Sequence, residues 1–414
     1  MRRGTYAVID LKSFYASCEC ACRGLDIFST PLVVADPTRS ANTIVMSTTP
    51  YLKEKYGIPN VCRVKSLPDV PGMIFAKPRM AYYLQMSAKV VSIFLDFLNE
   101  EDVHVYSVDE SFLYLTPYLK LYGCSEEELC LRIMKRIKDE LGLVATCGLG
   151  PNMFLAKICL DNEGKKKPPY LARWTYDDVK TKLWSIRPIT KIWGINEGIS
   201  SHLYRLGIRD VESLAKASPY LLKREFGVLG QQLHDLANGI DNSDIREKYV
   251  PKERNISIGQ TLMRDYQAKG AKLVLREMND DLCLRLRMNG NRASRVGLYV
   301  GYSDCTGFSR QCSFDIPTDD NDDLYDHIMY LFDKFIEDKP IRGLGISFAK
   351  LSSYSYRQNS VFVSDEEAEE RRSLHLMVDA IQNRFGKDLC LRATSLCKDS
   401  TIRQRHKQIG GHNA

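Results

Sequence analysis

The stretch that organises the chain is Tyr106-Ser107-Val108-Asp109-Glu110-Ser111-Phe112-Leu113. It places two adjacent carboxylates within residues 103–115, whose Val, Phe and Leu positions are typical of β-structure. A short Ser-Val-Asp-Glu segment between two such arms predicts the tip of a β-hairpin or a sharp bend in a strand. An Asp-Glu pair in a turn is most often simply solvated. The same pair could instead bind a cation, and such hard oxygen ligands favour Mg²⁺ or Ca²⁺.

A third carboxylate lies far upstream, where Asp10 ends the apolar strand formed by residues 6–9. Taken alone, an acid in this position is either a helix N-cap or a ligand. Phe14 and Tyr15 follow at helical spacing, which is more often a property of core aromatic residues than of binding residues.

The order of the surrounding elements predicts how these carboxylates meet. After the first strand and helix come an amphipathic helix over residues 80–99, the hairpin, a helix over 126–141 and a strand over 144–150. This is the order of a ferredoxin-like α+β layer, an antiparallel sheet backed by helices. The strand of Asp10 and the hairpin can lie side by side in that layer. Asp10, Asp109 and Glu110 would then converge, as two divalent metal ions holding a triphosphate require.

Length and composition set wider limits. A chain of 414 residues, 44% of them hydrophobic, can form about two to four domains. A formal net charge of +6 is too small to indicate a polyanionic partner by itself. The 13 cysteines follow no apolar signal segment and have no metal-ligand spacing, so we expect free thiols in a reducing cytoplasm. No apolar run approaches the ~18 residues that cross a membrane, and we expect a soluble, intracellular protein.

The sequence of residues 25–78 predicts a small inserted subdomain. They contain predicted strands over 32–35 and 43–47 and a short helix over 48–57, with a Pro in its first turn and a Gly at its end. Hydroxyl side chains stand at the head of this helix, and helix N-termini favour phosphates.

Residues 192–203 predict a helix-hairpin-helix motif. Gly194 and Gly198 bracket its turn, and the backbone amides of such a turn can bind a DNA phosphate without reading sequence. Asn196 replaces a glycine that is usual in the turn, and we expect it to tolerate a positive φ there. An ordinary corner between two helices has the same pattern and remains open as an interpretation.

A basic region follows. Residues 254–312 hold ten Lys and Arg against five Asp and Glu, and four arginines cluster beside predicted strands: Arg285, Arg287, Arg292 and Arg295. Such a sheet edge can follow a sugar-phosphate backbone, although a charged, solvated face is an equally good interpretation. Beyond residue 352 the polar composition predicts a tether that carries peptide motifs rather than a further core.

Three segments of the chain together resemble a known family. Asp10-Leu11-Lys12-Ser13-Phe14-Tyr15-Ala16-Ser17-Cys18-Glu19 resembles the opening motif of the Y-family translesion DNA polymerases. The Ser-Val-Asp-Glu hairpin resembles their second metal motif, and residues 152–157 resemble their Asn-x-x-x-Ala-Lys signature. The resemblance is collinear over about residues 5–350. Residues 257–266 and 409–412 are similar to the UmuC-type branch, in particular the UvrX-like UV-damage repair proteins of Gram-positive bacteria.

The resemblance implies an α+β multidomain fold, the right-hand polymerase architecture. It implies a ferredoxin-like palm, small fingers, an all-α helix-hairpin-helix thumb and an α+β little finger. The expected boundaries are 1–24 and 79–168 for the palm, 25–78 for the fingers, 169–243 for the thumb, 253–352 for the little finger and 353–414 for a C-terminal tail.

The resemblance also implies site residues. Asp10, Asp109, Glu110 and the main chain of Leu11 would hold two Mg²⁺ ions, and Tyr15 would exclude a ribose 2′-hydroxyl as a steric gate. Residues expected to bind the incoming dNTP are Phe14, Tyr15, Ser47, Thr48, Tyr51 and Lys157. Glu54 stands where many relatives carry a basic residue, and either Lys53 or Lys55 could take its place. Lys12 replaces an acid that some branches carry.

The implied partners are primer-template DNA and dNTPs. Gln358, Val361 and Phe362 lie where relatives keep a peptide that binds the sliding clamp (β). A recombinase or accessory subunits, a damage-inducible role, and a location at the nucleoid of the bacterial cytoplasm follow from relatives alone. The expected function is error-prone synthesis past lesions. The alternatives are a non-catalytic DNA-binding repair scaffold and a nucleotide cyclase built on the same palm layer.

Overall fold

The computed structural model describes residues 4–59, 61–247, 250–353 and 365–414. The chain divides into two compact units, residues 1–248 and 249–414. Among the described residues, no helix combines the length and the apolar character that a membrane span needs. Each unit is described by itself below.

The described residues of the first unit form eight strands and eleven α-helices. The strands are β1 (Tyr6–Leu11), β2 (Leu32–Val34), β3 (Ser47–Thr48), β4 (Ile74–Ala76), β5 (Val103–Val105), β6 (Glu110–Tyr114), β7 (Ala145–Gly150) and β8 (Leu171–Arg173). The helices are α1 (Phe14–Cys22), α2 (Pro50–Tyr56), α3 (Met80–Leu95), α4 (Thr116–Tyr122), α5 (Glu126–Leu141), α6 (Met153–Cys159), α7 (Asp178–Thr181), α8 (Glu197–Arg205), α9 (Val211–Lys216), α10 (Pro219–Phe226) and α11 (Val228–Ala237).

A five-stranded sheet in the order β5-β6-β1-β7-β8 forms the centre of this unit. β1 is antiparallel to both of its neighbours, β6 and β7. Every residue of β1 except Asp10 is buried, because its apolar side chains lie between the sheet and the helices that cover it. The predicted α+β layer and hairpin are therefore confirmed.

Helix α5 illustrates how local sequence fixes the elements that back this sheet. Ser125 and Glu128 form a capping box, in which each side chain accepts a hydrogen bond from the other residue's backbone amide. Gly142 ends the helix with φ +67°, a left-handed conformation that favours glycine. Leu129 and Ile133, one turn apart, are fully buried.

The inserted subdomain has a three-stranded sheet, β3-β2-β4, and a small core that includes Val33, Leu52 and Val70. The strand predicted over residues 43–47 is shorter than expected. β3 contains only Ser47 and Thr48, and Ile44 makes an isolated bridge to Arg63 instead. Helices α7 to α11 enclose a further apolar core with α6, which includes Phe154, Leu203, Leu214, Leu222 and Leu233.

The second unit is built on one antiparallel sheet. Its elements are β9 (Asn255–Tyr266), α12 (Ala268–Met288), β10 (Asn291–Tyr302), β11 (Gly307–Thr318), α13 (Asn321–Phe335), β12 (Ile341–Ala349), β13 (Ser352–Ser353), α14 (Asp365–Phe385), α15 (Ile402–His406), β14 (Gln408–Ile409) and β15 (His412–Asn413). The strand order is β11-β10-β12-β9, and β13 pairs with β10. Leu344, Ile346 and Phe348 alternate along β12 and are buried in the core that α12 and α13 complete.

The C-terminal part differs from the predicted tether. Its described residues form helix α14 and a segment that binds along α12. Glu277 of α12 is 2% exposed and accepts hydrogen bonds from Ser400 Oγ and from the Thr401 amide. Asp281, one turn later, binds Arg405 and His406 at 2.7 and 2.9 Å. The prediction failed because the polar composition of this segment reflects pairing with acids far away in sequence rather than solvation.

Replacing Asp281 with asparagine is expected to loosen this contact. Asp281, Arg405 and His406 are each largely buried, so the variant would leave two buried donors with a weaker acceptor and lower the unfolding free energy by about 3 kcal/mol. The hydrogen bond to Asp281 raises the pKa of His406. The contribution of His406 to the free energy of unfolding is therefore fully present below its ordinary pKa, and it is lost as pH rises through the raised pKa. Hydrogen exchange of α15 as a function of pH measures both effects.

The exposed pair of Asp333 with Lys272 provides the control. Asp333→Asn should change stability by less than about 0.5 kcal/mol, because exposed ion pairs contribute little. Equal effects of the two substitutions would contradict the buried contact.

Candidate active site

The three predicted carboxylates meet at one end of the central strands. The antiparallel register places Asp10 of β1 directly opposite Glu110 of β6. The Leu11 amide donates to the Asp109 carbonyl at 2.9 Å, which fixes the turn before β6 against the end of β1. Within that turn, Ser107 Oγ donates to Asp109 Oδ1 at 2.7 Å. The hairpin thus brings Asp109 and Glu110 to the strand end that carries Asp10.

Two lysines hold these carboxylates. Lys157 Nζ lies 2.8 Å from Glu110 Oε1, and both side chains are 9% exposed. Lys165 Nζ lies 3.1 Å from Asp10 Oδ2. Asp161 contacts both ammonium groups, at 3.1 Å from Lys157 and 2.9 Å from Lys165. The site is therefore a mixed cluster of charges in which lysines accompany the acids.

The environment of Asp10 favours additional positive charge. Burial raises the pKa of Asp10 to about 6; Lys165 opposes this rise, and the carboxylates of Asp109 and Glu110 add to it. The raised pKa reports chiefly that Asp10 is buried, with the two neighbouring carboxylates as smaller contributions.

Helix α6 reaches the site because two strand glycines let it approach. A Cβ atom at Gly150 would lie 2.5 Å from the Ala156 amide nitrogen, and one at Gly148 would lie 2.3 Å from the Ala156 carbonyl oxygen. The helix therefore packs directly on β7. Asn152 caps its first turn by accepting a hydrogen bond from the Leu155 amide at 2.8 Å. This packing directs Lys157 toward Glu110.

A pocket of about 390 Å³ opens beside the carboxylates. Of the residues predicted for catalysis or dNTP binding, six line it: Asp10, Leu11, Phe14, Tyr15, Ser47 and Asp109. Four others do not line it: Glu110, Thr48, Tyr51 and Lys157. The structure adds lining residues that the motifs did not assign to the site, among them Ser13, Lys53 and Lys165.

Lys165 is the main residue that sequence reasoning missed. It lies in the Lys165-Lys166-Lys167 run, which reads as a solvated linker. After α6 the chain makes one π-helical turn, Leu160–Gly164, and this turn returns Lys165 to the pocket. The spacing of four residues between Asp161 and Lys165 was the available signal, since such pairs meet on one helix face.

The side chain of Tyr15 packs against a buried tyrosine, Tyr83. Its ring stacks on Tyr83 of α3 with ring centres 4.7 Å apart. The Tyr83 hydroxyl donates to Glu19 Oε1 at 2.8 Å, and Arg79 Nε donates to the same oxygen at 2.8 Å. Arg23 also pairs with Glu19, whose side chain is fully buried. The orientation of Tyr15 is thus set by a chain of contacts that ends at Glu19.

Replacing Glu19 with glutamine is expected to destabilise the first unit. The change removes the charge that pairs with Arg79 and Arg23, and hydrogen bonds to a charged group contribute about 1.5–3 kcal/mol. Because both arginines are partly exposed and can be hydrated, we expect a loss near the lower end, about 2 kcal/mol. Thermal unfolding measures it, and Glu140→Gln, at an exposed pair with Arg136, is the control. A Glu19→Gln protein as stable as this control would contradict the proposed role of Glu19 in holding Tyr83 and the two arginines.

The head of α2 carries three predicted dNTP-binding residues in different surroundings. Ser47 Oγ donates to the Ser13 carbonyl at 3.3 Å. Thr48 is 2% exposed, and its hydroxyl oxygen has no hydrogen-bond partner among the described residues. Tyr51 accepts a hydrogen bond from Lys55 Nζ at 2.9 Å. Lys53 Nζ instead donates to Ser13 Oγ at 3.0 Å.

The predicted helix-hairpin-helix turn differs in one respect. Gly194 has φ +90° and is exposed. Asn196 does not adopt a positive φ; with φ −89° it caps α8, and its side chain accepts a hydrogen bond from the Ile199 amide. Asparagine is accommodated because it acts as an N-cap here. Gly198 lies exposed in the first turn of α8.

The structure contradicts the grouping of four arginines on one exposed edge. Arg287 is 3% exposed and pairs with Asp379 of α14, while Arg292 is buried beside Asp319. Arg285 is exposed and donates to the Ser257 carbonyl, and Arg295 pairs with Glu253. The burial of Arg287 depends on a partner 92 residues away, which sequence spacing does not reveal.

The sheet face opposite α12 and α13 is open. A shallow pocket of about 640 Å³ runs across it, lined by Ser257, Gly259, Gly297, Tyr299, Arg310, Gln311, Gly345 and Ser347 and four further residues of the same strands. Small side chains leave the strand backbone accessible there. The residues predicted to bind the clamp, Gln358, Val361 and Phe362, lie outside the described residues.

The acidic residues fit a hard divalent cation by their chemistry. Carboxylate and main-chain carbonyl oxygens are the ligands that Mg²⁺ prefers, and Asp10, Leu11 and Asp109 border one pocket. The raised pKa of Asp10 indicates that more positive charge would be favoured. Among the described residues, no three His, Cys, Asp or Glu side chains are already arranged as a metal site. Lys165 and Lys157 hold Asp10 and Glu110 instead.

Comparisons with known proteins agree with this geometry. Residues 9–161 match the impB/mucB/samB family, and residues 253–361 match the C-terminal domain of the same family. The UV-damage repair protein UvrX of Bacillus subtilis (strain 168) is 34% identical over 410 residues, covering 98% of this chain and 97% of that protein. DNA polymerase IV 2 of the same organism is 32% identical over 418 residues, covering 100% of this chain and 99% of that protein.

A solved structure supports the architecture. A Y-family DNA polymerase chimera has a TM-score of 0.67 and 20% identity, covering 84% of this chain and 99% of that chain. This likeness shows the fold, and it confirms the predicted α+β multidomain class. The family matches and the full-length relatives confirm the resemblance drawn from the motifs, and the chain belongs to the impB/mucB/samB family of Y-family DNA polymerases.

Proposed function

We propose that this protein is an error-prone, template-directed DNA polymerase that acts in translesion synthesis and DNA repair. It would join a dNTP to a primer 3′-hydroxyl and release pyrophosphate. The observation that carries the proposal is the pocket beside β1, where Asp10 and Asp109 face Lys53 and Lys165 next to the ring of Tyr15. Acids, cations and a sugar-sized aromatic wall are the groups that this reaction requires around one substrate.

Two Mg²⁺ ions would be held by Asp10, Asp109, Glu110 and the Leu11 carbonyl. When bound, such ions lower the pKa of the primer hydroxyl and neutralise charge on the phosphates. Lys157 would orient Glu110 through their buried ion pair. Lys165 pairs with Asp10, and it would contact a phosphate of the bound nucleotide.

The remaining pocket residues would bind the nucleotide. Tyr15, held by Tyr83, would lie against the deoxyribose and exclude a 2′-hydroxyl. Phe14 and Ser47 line the same pocket. Thr48 and Tyr51 would contribute at the triphosphate. Lys165 is better placed for this role than Lys157, because it lines the pocket whereas Lys157 is buried against Glu110.

Beyond the primer end in the pocket, primer-template DNA would be bound by contacts that do not read sequence. The amides around the exposed Gly194 and Gly198 would bind phosphates. Arg285 and Arg295, with the open sheet face, would follow the backbone, whereas Arg287 and Arg292 are committed to ion pairs within the unit. The palm, fingers, thumb and little finger would have the boundaries inferred from sequence with two changes. Strand β8 (Leu171–Arg173) extends the palm sheet, and the described part of residues 353–414 packs on α12 of the little finger.

The wider partners rest on the resemblance. Gln358, Val361 and Phe362 would bind a sliding clamp, and accessory subunits or a recombinase would regulate access to damaged DNA. We place the protein in the bacterial cytoplasm at the nucleoid.

The non-catalytic scaffold is supported by one observation. Glu110 and Asp10 are already paired with lysines, as carboxylates with a structural role would be. A scaffold would bind primer-template DNA without extending it, which separates the two proposals.

Extension on a damaged template tests the proposal. With Mg²⁺ and four dNTPs, the purified protein should extend a primer on undamaged DNA and across a single abasic site. A stop before the abasic site, with normal copying of undamaged DNA, would contradict the translesion role. Binding without extension on both templates would favour the scaffold.

A further inference from the structure

Three lysines line the pocket beside β1 together with three carboxylates, those of Asp10, Glu54 and Asp109. The lysines are Lys12, Lys53 and Lys165. Lys165 is neutralised by Asp10 and Asp161. Lys12 lies over the ring of Tyr170 at 4.6 Å and donates to the Lys165 carbonyl. Of these three lysines, only Lys165 has its ammonium within 4.0 Å of a carboxylate among the described residues. The ammonium groups of Lys12 and Lys53 can therefore pair with an anion that enters this cavity of about 390 Å³.

Lys53 is the lysine with the least compensation. Its Nζ donates to a neutral group, Ser13 Oγ, at 3.0 Å. In the described ranges no carboxylate lies within 4.0 Å of its ammonium. Burial lowers the pKa of Lys53, and the nearby charges of Lys12 and Lys165 lower it further, with Asp10 opposing them. An anion in the pocket would offset both effects, the burial of the Lys53 ammonium and its repulsion by Lys12 and Lys165.

Lys55 lies only two residues away and makes different contacts. It is exposed, and its Nζ binds the Tyr51 hydroxyl at 2.9 Å and lies 5.1 Å from the centre of that ring. Residues two apart on a helix face different directions. Helix α2 therefore directs Lys53 into the pocket and Lys55 to the surface, which separates the two lysines that sequence spacing left equivalent.

The anion must also suit the rest of the pocket. Tyr15 and Phe14 line it together with the lysines. A ligand with a ring-sized body and several adjacent negative charges matches this combination. A nucleoside triphosphate has that form, whereas inorganic phosphate alone would leave the aromatic part unfilled.

We propose that Lys53, and not Lys55, is a binding residue for the triphosphate of the incoming nucleotide, in the role that Glu54 cannot fill. The proposal rests on the proposed function and adds a residue to it. Ser13, whose backbone is held in the left-handed region at φ 50°, positions the Lys53 ammonium through its hydroxyl. Lys53 contacts phosphate rather than base, so its contribution is the same for all four dNTPs.

The test measures nucleotide affinity without chemistry. The full-length protein is bound to primer-template DNA whose primer ends in a dideoxynucleotide, and the Kd of each correct dNTP is determined in the presence of Mg²⁺. Lys53→Ala is expected to raise this Kd about 10-fold or more for every dNTP. Lys53→Arg, which retains the charge, should restore most of the affinity. Lys55→Ala is the matched control and should remain within about twofold of wild type.

The outcomes are distinct. A rise in Kd for Lys55→Ala with none for Lys53→Ala would overturn the proposal, and so would a loss restricted to one base. Unchanged affinity for primer-template DNA in each variant reports that the protein is folded. If the Lys53→Ala protein does not fold, Lys53→Gln serves as a second variant. If the wild-type complex binds no dNTP at all, the proposed polymerase function fails rather than the assignment of Lys53 within it.

Discussion

Asp109→Asn is expected to lower kcat for nucleotide addition at least about 1000-fold, because binding of metal ions contributes several kcal/mol to the transition state. The substitution is nearly isosteric. It leaves in place the ion pairs of the site, which involve Asp10 and Glu110 rather than Asp109. The protein should therefore fold normally and bind primer-template DNA as the wild type does. Loss of activity would then report chemistry and not stability.

Single-turnover primer extension measures this effect, and Asp139→Asn, at an exposed pair with Lys135 on α5, is the control. Glu110→Gln should lose activity to a similar extent, but it should also lose stability because Lys157 would remain buried without its partner. An Asp109→Asn protein that retained more than about a tenth of wild-type kcat would contradict the assignment of metal-binding carboxylates.

Tyr15→Ala is expected to reduce discrimination against ribonucleotides. The ring of Tyr15 lines the pocket and cannot yield easily, because Tyr83 stacks behind it and is itself fixed by Glu19. An added hydroxyl forced against such a wall costs about 1–3 kcal/mol, which corresponds to about 5- to 150-fold in kcat/KM. Removing the ring removes this penalty.

The ratio of kcat/KM for a dNTP to that for the matching rNTP measures discrimination. Tyr15→Phe, which keeps the ring, should retain the wild-type ratio. A ratio unchanged in Tyr15→Ala would show that another group excludes the 2′-hydroxyl.

The sequence was most informative where the decisive interactions are local or periodic. The alternation of apolar residues and the Ser-Val-Asp-Glu tip predicted the hairpin, since a short turn fixes strand register. The order of strands and helices then predicted that Asp10 would face this hairpin. The observed register, with Asp10 opposite Glu110, confirms that expectation.

Prediction was weakest where a side chain finds its partner through tertiary contacts. Arginine is usually a surface residue, yet Arg287 is buried in an ion pair with Asp379 of the C-terminal helix α14. Lys157 belongs to a recognisable motif, yet it turns to Glu110, while Lys165 from a segment that resembles a linker enters the pocket. No local pattern distinguishes a buried ion pair of this kind from a solvated charge.

Single-nucleotide incorporation is the most direct test of the central claim that Asp10, Asp109 and Glu110 form the catalytic site of a template-directed DNA polymerase. The purified wild-type protein is given a primed template, Mg²⁺ and one dNTP at a time, opposite each of the four template bases. The account predicts that the complementary dNTP is added preferentially in every case and that removal of the metal by a chelator abolishes addition. Addition that ignored the template base, or no addition by protein that binds the primer-template tightly, would contradict it.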